Sequence, residues 1–148
     1  MTLRRWLMIF ILSALTVHVS AQKSLTPEST SESSVQSGEK LVVLWTSGDP
    51  EVAEKMVFMY VYNAKKYEWW QEITFIIWGP SSKLLAENDS LQQQLKKMKE
   101  EGIKLEACKA CADQYGVTGK LEELGVKVKY MGQPLTDYIK GDHHVITF

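Results

Sequence analysis

Cysteine, histidine and proline are scarce here: 148 residues hold two cysteines, three histidines and four prolines. Two cysteines cannot build the disulfide framework of a small secreted scaffold, so the fold must rest on its own apolar core. No charge is in excess. Seventeen Lys and Arg stand against eighteen Asp and Glu, mixed along the chain, for a net charge of −1. That leaves no basic face for a nucleic-acid backbone, and nucleic acid is not expected as a partner. No internal repeat is present. The hydrophobic fraction of 45% excludes a wholly disordered chain, and the length fits one compact domain plus processing segments.

The N-terminus reads as a signal peptide, residues 1–21. Arg4 and Arg5 supply the charged region, Trp6 to Val17 the apolar stretch, and Val19-Ser20-Ala21 a small-residue cleavage site. The apolar run is shorter than the ~20 residues a bilayer span needs, so no stable membrane span is expected after cleavage. No cysteine follows the cleavage site to carry a lipid, and the surroundings of the paired arginines match a twin-arginine signal poorly. The expected location is the periplasm or the exterior. Residues 22–40, rich in Ser, Thr, Glu and Gln, have too little to bury to offset their ordering entropy, and read as a disordered linker.

From Leu41 onward, short apolar runs alternate with longer amphipathic stretches, the pattern of βα units around a parallel sheet. Strands are expected at Leu41–Thr46, Glu72–Trp78, Ile103–Cys108, Val126–Met131 and His143–Phe148. The first two are near-continuous apolar runs, as strands covered on both faces are. Asp49-Pro50-Glu51 starts a helix, with Asp49 as cap and Pro50 in its first turn. Spacing predicts that Val52, Met56, Met59, Tyr60 and Ala64 face the sheet, leaving Phe58, Val61 and Tyr62 for neighbouring elements or for oligomer contacts. A helical region carrying Leu84, Leu85, Leu91, Leu95 and Met98 ends at Gly102. Short helices follow over 110–115, 117–124 and 135–140. The expected fold is a three-layer α/β/α domain over 41–148, with a five-stranded parallel sheet of flavodoxin- or Rossmann-like topology.

Ligands of such a sheet bind at the carboxyl ends of its strands. That rule selects the loops at Ser47-Gly48-Asp49, Trp78-Gly79-Pro80-Ser81, Cys108-Lys109-Ala110-Cys111 and Met131-Gly132-Gln133-Pro134. Ser47, Gly48, Trp78, Ser81, Lys109 and Met131 are the candidate pocket. Cys108 and Cys111 are the candidate catalytic pair. A cysteine at a strand-to-helix junction faces unpaired N–H groups and the positive helix end, both of which favour a thiolate, and Lys109 adds a cation. A lone CxxC is a weak motif, and the same two residues could equally form a simple disulfide or remain inert. A zinc site is not expected. His143 and His144 fall at the start of the last strand, opposite the cysteine edge, and their adjacency sends their side chains to opposite faces. No cofactor is expected either.

The segment Ala107-Cys108-Lys109-Ala110-Cys111-Ala112-Asp113-Gln114-Tyr115-Gly116-Val117 resembles the active loop of DsrE/DsrF-like (DsrEFH-like) proteins, in which a strand-ending cysteine precedes a short helix closed by Gly-Val. Trp78-Gly79-Pro80-Ser81, Lys127-Val128-Lys129-Tyr130-Met131-Gly132 and the Thr147-Phe148 ending extend the resemblance across Leu41 to Phe148. It implies a sulfur-relay fold, assembly into homo-oligomers, a protein donor or acceptor of sulfur, and Cys108 as the cysteine that bears a persulfide. Cys111 is not part of the carrier pattern, and export departs from carriers that act inside the cell. A neighbouring thiol could attack a persulfide on Cys108, expel sulfide and leave a disulfide. Three readings follow: a sulfur-trafficking protein using Cys108 with Cys111 as resolving thiol, a CxxC thiol-disulfide oxidoreductase, and a non-enzymatic oligomeric module that binds a small ligand.

Overall fold

The computed structural model describes residues 39–148; the expected signal peptide and nearly all of the expected linker lie outside them. Five strands form one sheet: β1 (Lys40–Trp45), β2 (Glu72–Ile77), β3 (Lys104–Cys108), β4 (Lys127–Lys129) and β5 (His144–Thr147). All pairings are parallel, in the order β4-β3-β2-β1-β5. Helices connect them: α1 (Pro50–Val52), running through a π-helical stretch at Ala53–Phe58 into α2 (Met59–Lys66); α3 (Pro80–Glu87); α4 (Asp89–Glu100); α5 (Lys109–Tyr115); α6 (Thr118–Glu123); and α7 (Gly132–Lys140). Among the described residues, no helix is long and apolar enough to cross a membrane.

The first three crossovers step in one direction along the sheet, and the fourth returns across it from β4 to β5. Right-handed connections therefore put α1 to α6 on one face and α7 alone on the other. Packing follows that division. The larger core joins Leu41, Val43 and Trp45 of β1 and Ile73, Phe75 and Ile77 of β2 to apolar residues of the first six helices. A smaller one holds Val42, Ile76, Cys108 and Met131, with Leu135 and Tyr138 of α7 packed against it.

The first helical segment meets the sheet one residue out of phase with the expectation. Ala64 is buried as expected and Val52 and Tyr60 pack against the core, but Ala53, Val57, Phe58 and Val61 are the residues fully buried beside them, whereas Met56 and Met59 are 52% and 55% exposed. The cause is aromatic. The Phe58 ring meets Trp45 edge-on at 5.2 Å and Phe75 at 5.4 Å, and the Trp45 and Phe75 rings stack at 5.8 Å. Burying that trio outweighs burying two flexible methionines, and the π-helical stretch accommodates the change of phase. The helical region after β2 also divides. At Asn88 the backbone is extended (φ −115°, ψ 102°), and the side-chain oxygen accepts from the Leu91 N–H at 3.0 Å, capping α4. At the start of α1, Asp49 caps as expected, accepting from Glu51 N at 2.8 Å and Val52 N at 3.1 Å.

Candidate functional site

Cys108 is the last residue of β3, in extended backbone, and immediately precedes α5. Its side chain makes no capping bond to that helix. Alternation along β3 instead turns it onto the face that α7 covers, among Val42, Ile76 and Met131, with Trp78, Leu135 and Cys111 alongside. It is 5% exposed. The sulfur thus lies beneath the loop ends rather than in an open cleft.

Cys111 stands one helical turn further along α5 and is half-buried, and both cysteines are free thiols. Its thiol is pushed up, first by burial and then by a hydrogen bond with Cys108, while the backbone N–H of Gly79 acts in the opposite direction. Cys111 is therefore held protonated to higher pH than an ordinary cysteine. Gly79 presents that N–H from φ 71°, ψ −134°, a conformation that essentially only glycine adopts. The sequence places it at the end of β2, and the fold brings it to the CxxC turn.

The six expected pocket residues divide. Trp78 and Met131 pack on the Cys108 cluster. Ser47 and Gly48 sit at the adjoining loop, where Ser47 Oγ accepts from Asp49 N at 3.1 Å. A Cβ on Gly48 would come within 3.1 Å of the Pro80 Cβ, so the β1 and β2 loops approach closely there. Ser81 is fully buried. Its hydroxyl lies 2.7 Å from the Trp45 carbonyl, to which it donates, and it accepts from Trp78 N at 3.0 Å. Those bonds bind the ends of β1 and β2 together. Ser81→Ala should cost about 0.5–1.5 kcal/mol, the net worth of a hydrogen bond, because the Trp45 carbonyl keeps the Trp78 N–H at 3.0 Å; the loss is measured as a lower urea midpoint at unchanged slope. Lys109 points away from the cysteines. Its amine binds both Asp113 carboxylate oxygens, at 2.7 and 2.9 Å, and lies 5.9 Å from the Tyr130 ring centre.

A different polar group shares the face of Cys108. Glu106, two residues earlier on β3, is buried, and its Oε1 accepts from Lys129 Nζ at 2.6 Å. The Tyr138 hydroxyl donates to Oε2 at 3.3 Å. Burial, then the Glu106 carboxylate, pushes the Tyr138 hydroxyl up, which keeps it a donor. None of these three was selected from the sequence. The available signal was the alternation of charged with apolar residues along both strands, which puts Glu106 and Lys129 among several exposed-looking charges.

His144 pairs in register with Leu41, at the opposite end of the sheet from Cys108, and lies against the Trp70 ring at 5.1 Å, tilted by 55°. His143 lies against the Tyr138 ring at 5.0 Å. Among the described residues, no group of three or more His, Cys, Asp or Glu is placed to hold a metal ion. A cavity of about 740 Å³ between α4 and the end of α6 is lined by Asp89, Gln92, Lys96, Lys99 and Glu123, among others, and contains none of the cysteine-edge residues.

Comparison with known proteins agrees with this fold. No curated protein matches the sequence. Among solved structures, a conserved protein of unknown function, BT1422 from Bacteroides thetaiotaomicron, superposes with a TM-score of 0.72 at 37% identity, covering 74% of this chain and 95% of that one. The ychN protein from E. coli superposes with a TM-score of 0.56 at 14% identity, covering 75% and 99%, and at that identity it shows the fold alone. The DsrE/DsrF-like family matches residues 39–148, the whole described domain. The chain belongs to the DsrE/DsrF-like family, a family associated with sulfur relay.

Proposed function

We propose that this protein carries sulfane sulfur as a persulfide on Cys108 and that Cys111 discharges it. The observation that carries the reading is the packing of two free thiols in one cluster at the carboxyl edge of the sheet, one under apolar cover and one at its rim. In loading, the Cys108 thiolate attacks the terminal sulfur of a donor persulfide. A sulfur–sulfur bond forms at Cys108, the donor's own sulfur–sulfur bond breaks, and the donor leaves as a thiolate. In discharge, the Cys111 thiolate attacks Cys108 Sγ. The outer sulfur leaves as hydrosulfide, a Cys108–Cys111 disulfide remains, and an external dithiol must return two electrons to reset the pair.

Apolar cover suits the loaded state, because it keeps water and stray thiols from the persulfide. It also means that Met131 and Leu135 must move for a donor to enter. α7 fully buries none of its own residues, although Val42 and Ile76 lie beneath it, so the movement need only be local. Export, expected from the N-terminal segment, would place the pair where a disulfide persists between cycles.

Incubated with a sulfane-sulfur donor, the protein should release sulfide and become oxidised. Release should accelerate as pH rises into the alkaline range, because the Cys111 thiol is pushed up. The Cys111→Ser variant should stop at the persulfide, heavier by one sulfur atom in intact mass spectrometry. Absence of that adduct would end the proposal. A reversible disulfide without any adduct would favour the second reading, thiol–disulfide exchange, which the same thiol contact permits.

A further inference from the structure

Lys129 is the register partner of Cys108 across the β3–β4 ladder, so the two side chains leave the sheet on the same face from adjacent strands. Glu106 has Lys127 as its own register partner, yet Lys127 stays exposed. It is Lys129 that leans back along the ladder to Glu106, at 2.6 Å, with side-chain exposures of 29% for the lysine and 11% for the carboxylate. Tyr138 of α7 holds the second carboxylate oxygen. A buried ion pair is a weak device for stability, since apolar residues of similar volume commonly do as well. This one lies on the apolar face that also bears the reactive sulfur, where a charge is felt more strongly than in water.

We infer that Lys129 is the cation that stabilises negative charge on Cys108, and that Glu106 holds it back from the sulfur. The inference deepens the sulfur-carrier reading and rests on it for its biological purpose. When Cys108 is neutral, Lys129 and Glu106 neutralise one another. When Cys108 bears a thiolate or a persulfide anion, the amine faces two anions and is drawn toward the sulfur. Lys129 is thus a positioning residue for charge, and Glu106 opposes ionisation both as a like charge and as the competing partner. Of the other ionisable groups near this face, Lys127 stays exposed in solvent, and the rest have other partners. Lys104 pairs with Glu72, and Lys109 pairs with Asp113. Tyr138 donates to Glu106, Cys111 packs beside Cys108, and His143 sits against the Tyr138 ring.

The test uses purified reduced protein, free of added sulfur, in the Cys111→Ser background, so that only Cys108 reacts. The rate of alkylation by iodoacetamide is followed across pH for the parent and for Lys129→Gln, Lys129→Arg and Glu106→Gln. Removing the lysine should move the midpoint of the profile up by about one unit, a tenfold change in the ionisation constant. Arginine should restore it. Glu106→Gln should move it down by a similar amount. Folding of each variant is checked by circular dichroism, and the isosteric Glu106→Gln and charge-keeping Lys129→Arg preserve the test should Lys129→Gln fail to fold. Unchanged midpoints, or shifts of the same sign for Glu106→Gln and Lys129→Gln, would overturn the inference and leave the pair a structural one. Because no sulfur donor is present, failure of persulfide loading would not affect the result, and a negative result here would leave the loading experiment intact.

Discussion

Cys108→Ser is expected to lower sulfur uptake from a sulfane donor by about a hundredfold or more, even with Cys111 intact, because a serine hydroxyl stays protonated and is a weak nucleophile without an adjacent base. Cys111 does not replace it. Burial, the largest cause of its raised thiol, persists in this variant, so little of it is ionised at neutral pH. Serine in place of Cys108 changes volume little in a cluster that packs Val42, Ile76 and Met131. The midpoint of thermal unfolding should therefore fall only modestly, while uptake collapses. Loss of fold in parallel with uptake would assign Cys108 to packing instead. Intact mass after a fixed exposure to donor, alongside a thermal melt, separates the two.

Phe58→Ala is expected to destabilise the domain by about 3–5 kcal/mol, the usual cost of truncating a buried aromatic ring. Phe58 is 1% exposed and touches both Trp45 and Phe75, so the hole would open in the layer joining the first helix to the two central strands. Against a typical total of about 5–15 kcal/mol, that loss is a large share of the stability. Equilibrium urea unfolding should show a much lower midpoint with an unchanged slope. A loss below about 1 kcal/mol would mean that Met56 or Met59 can swing in to fill the space.

The strands were legible because each apolar run is bounded by Gly, Pro or Asp, and because parallel βα units announce themselves by alternation. Helix phase was less so. Hydrophobic spacing alone favours Met56 over Phe58, and the meeting of Phe58 with Trp45 and Phe75 reverses that choice. The division at Asn88 was written in Asn88-Asp89-Ser90, a capping sequence inside an otherwise continuous apolar stripe.

At the candidate site, the rule that ligands gather at strand ends led to Cys108, Cys111, Trp78 and Met131, and the fold brings these together. It does not turn Lys109 toward the sulfur, because a carboxylate one turn along α5 offers that amine a better partner. Lys129 and Glu106 escaped notice because their importance depends on which face of β3 the single returning helix covers. That follows from the order β4-β3-β2-β1-β5, and spacing within one strand does not encode it. Gly79 is a similar case: its backbone reaches Cys111 only through the pairing of β2 with β3.

The claim on which this account turns is that sulfur arrives first on the buried cysteine. Brief exposure of the unaltered protein to a sulfane donor, immediate alkylation, and peptide-level mass spectrometry would locate the added atom within the Cys108–Cys111 turn. The account predicts sulfur on Cys108 at the earliest times, followed by the disulfide as sulfide appears. Sulfur accumulating first on Cys111, with Cys108 alkylated as a plain thiol, would contradict it.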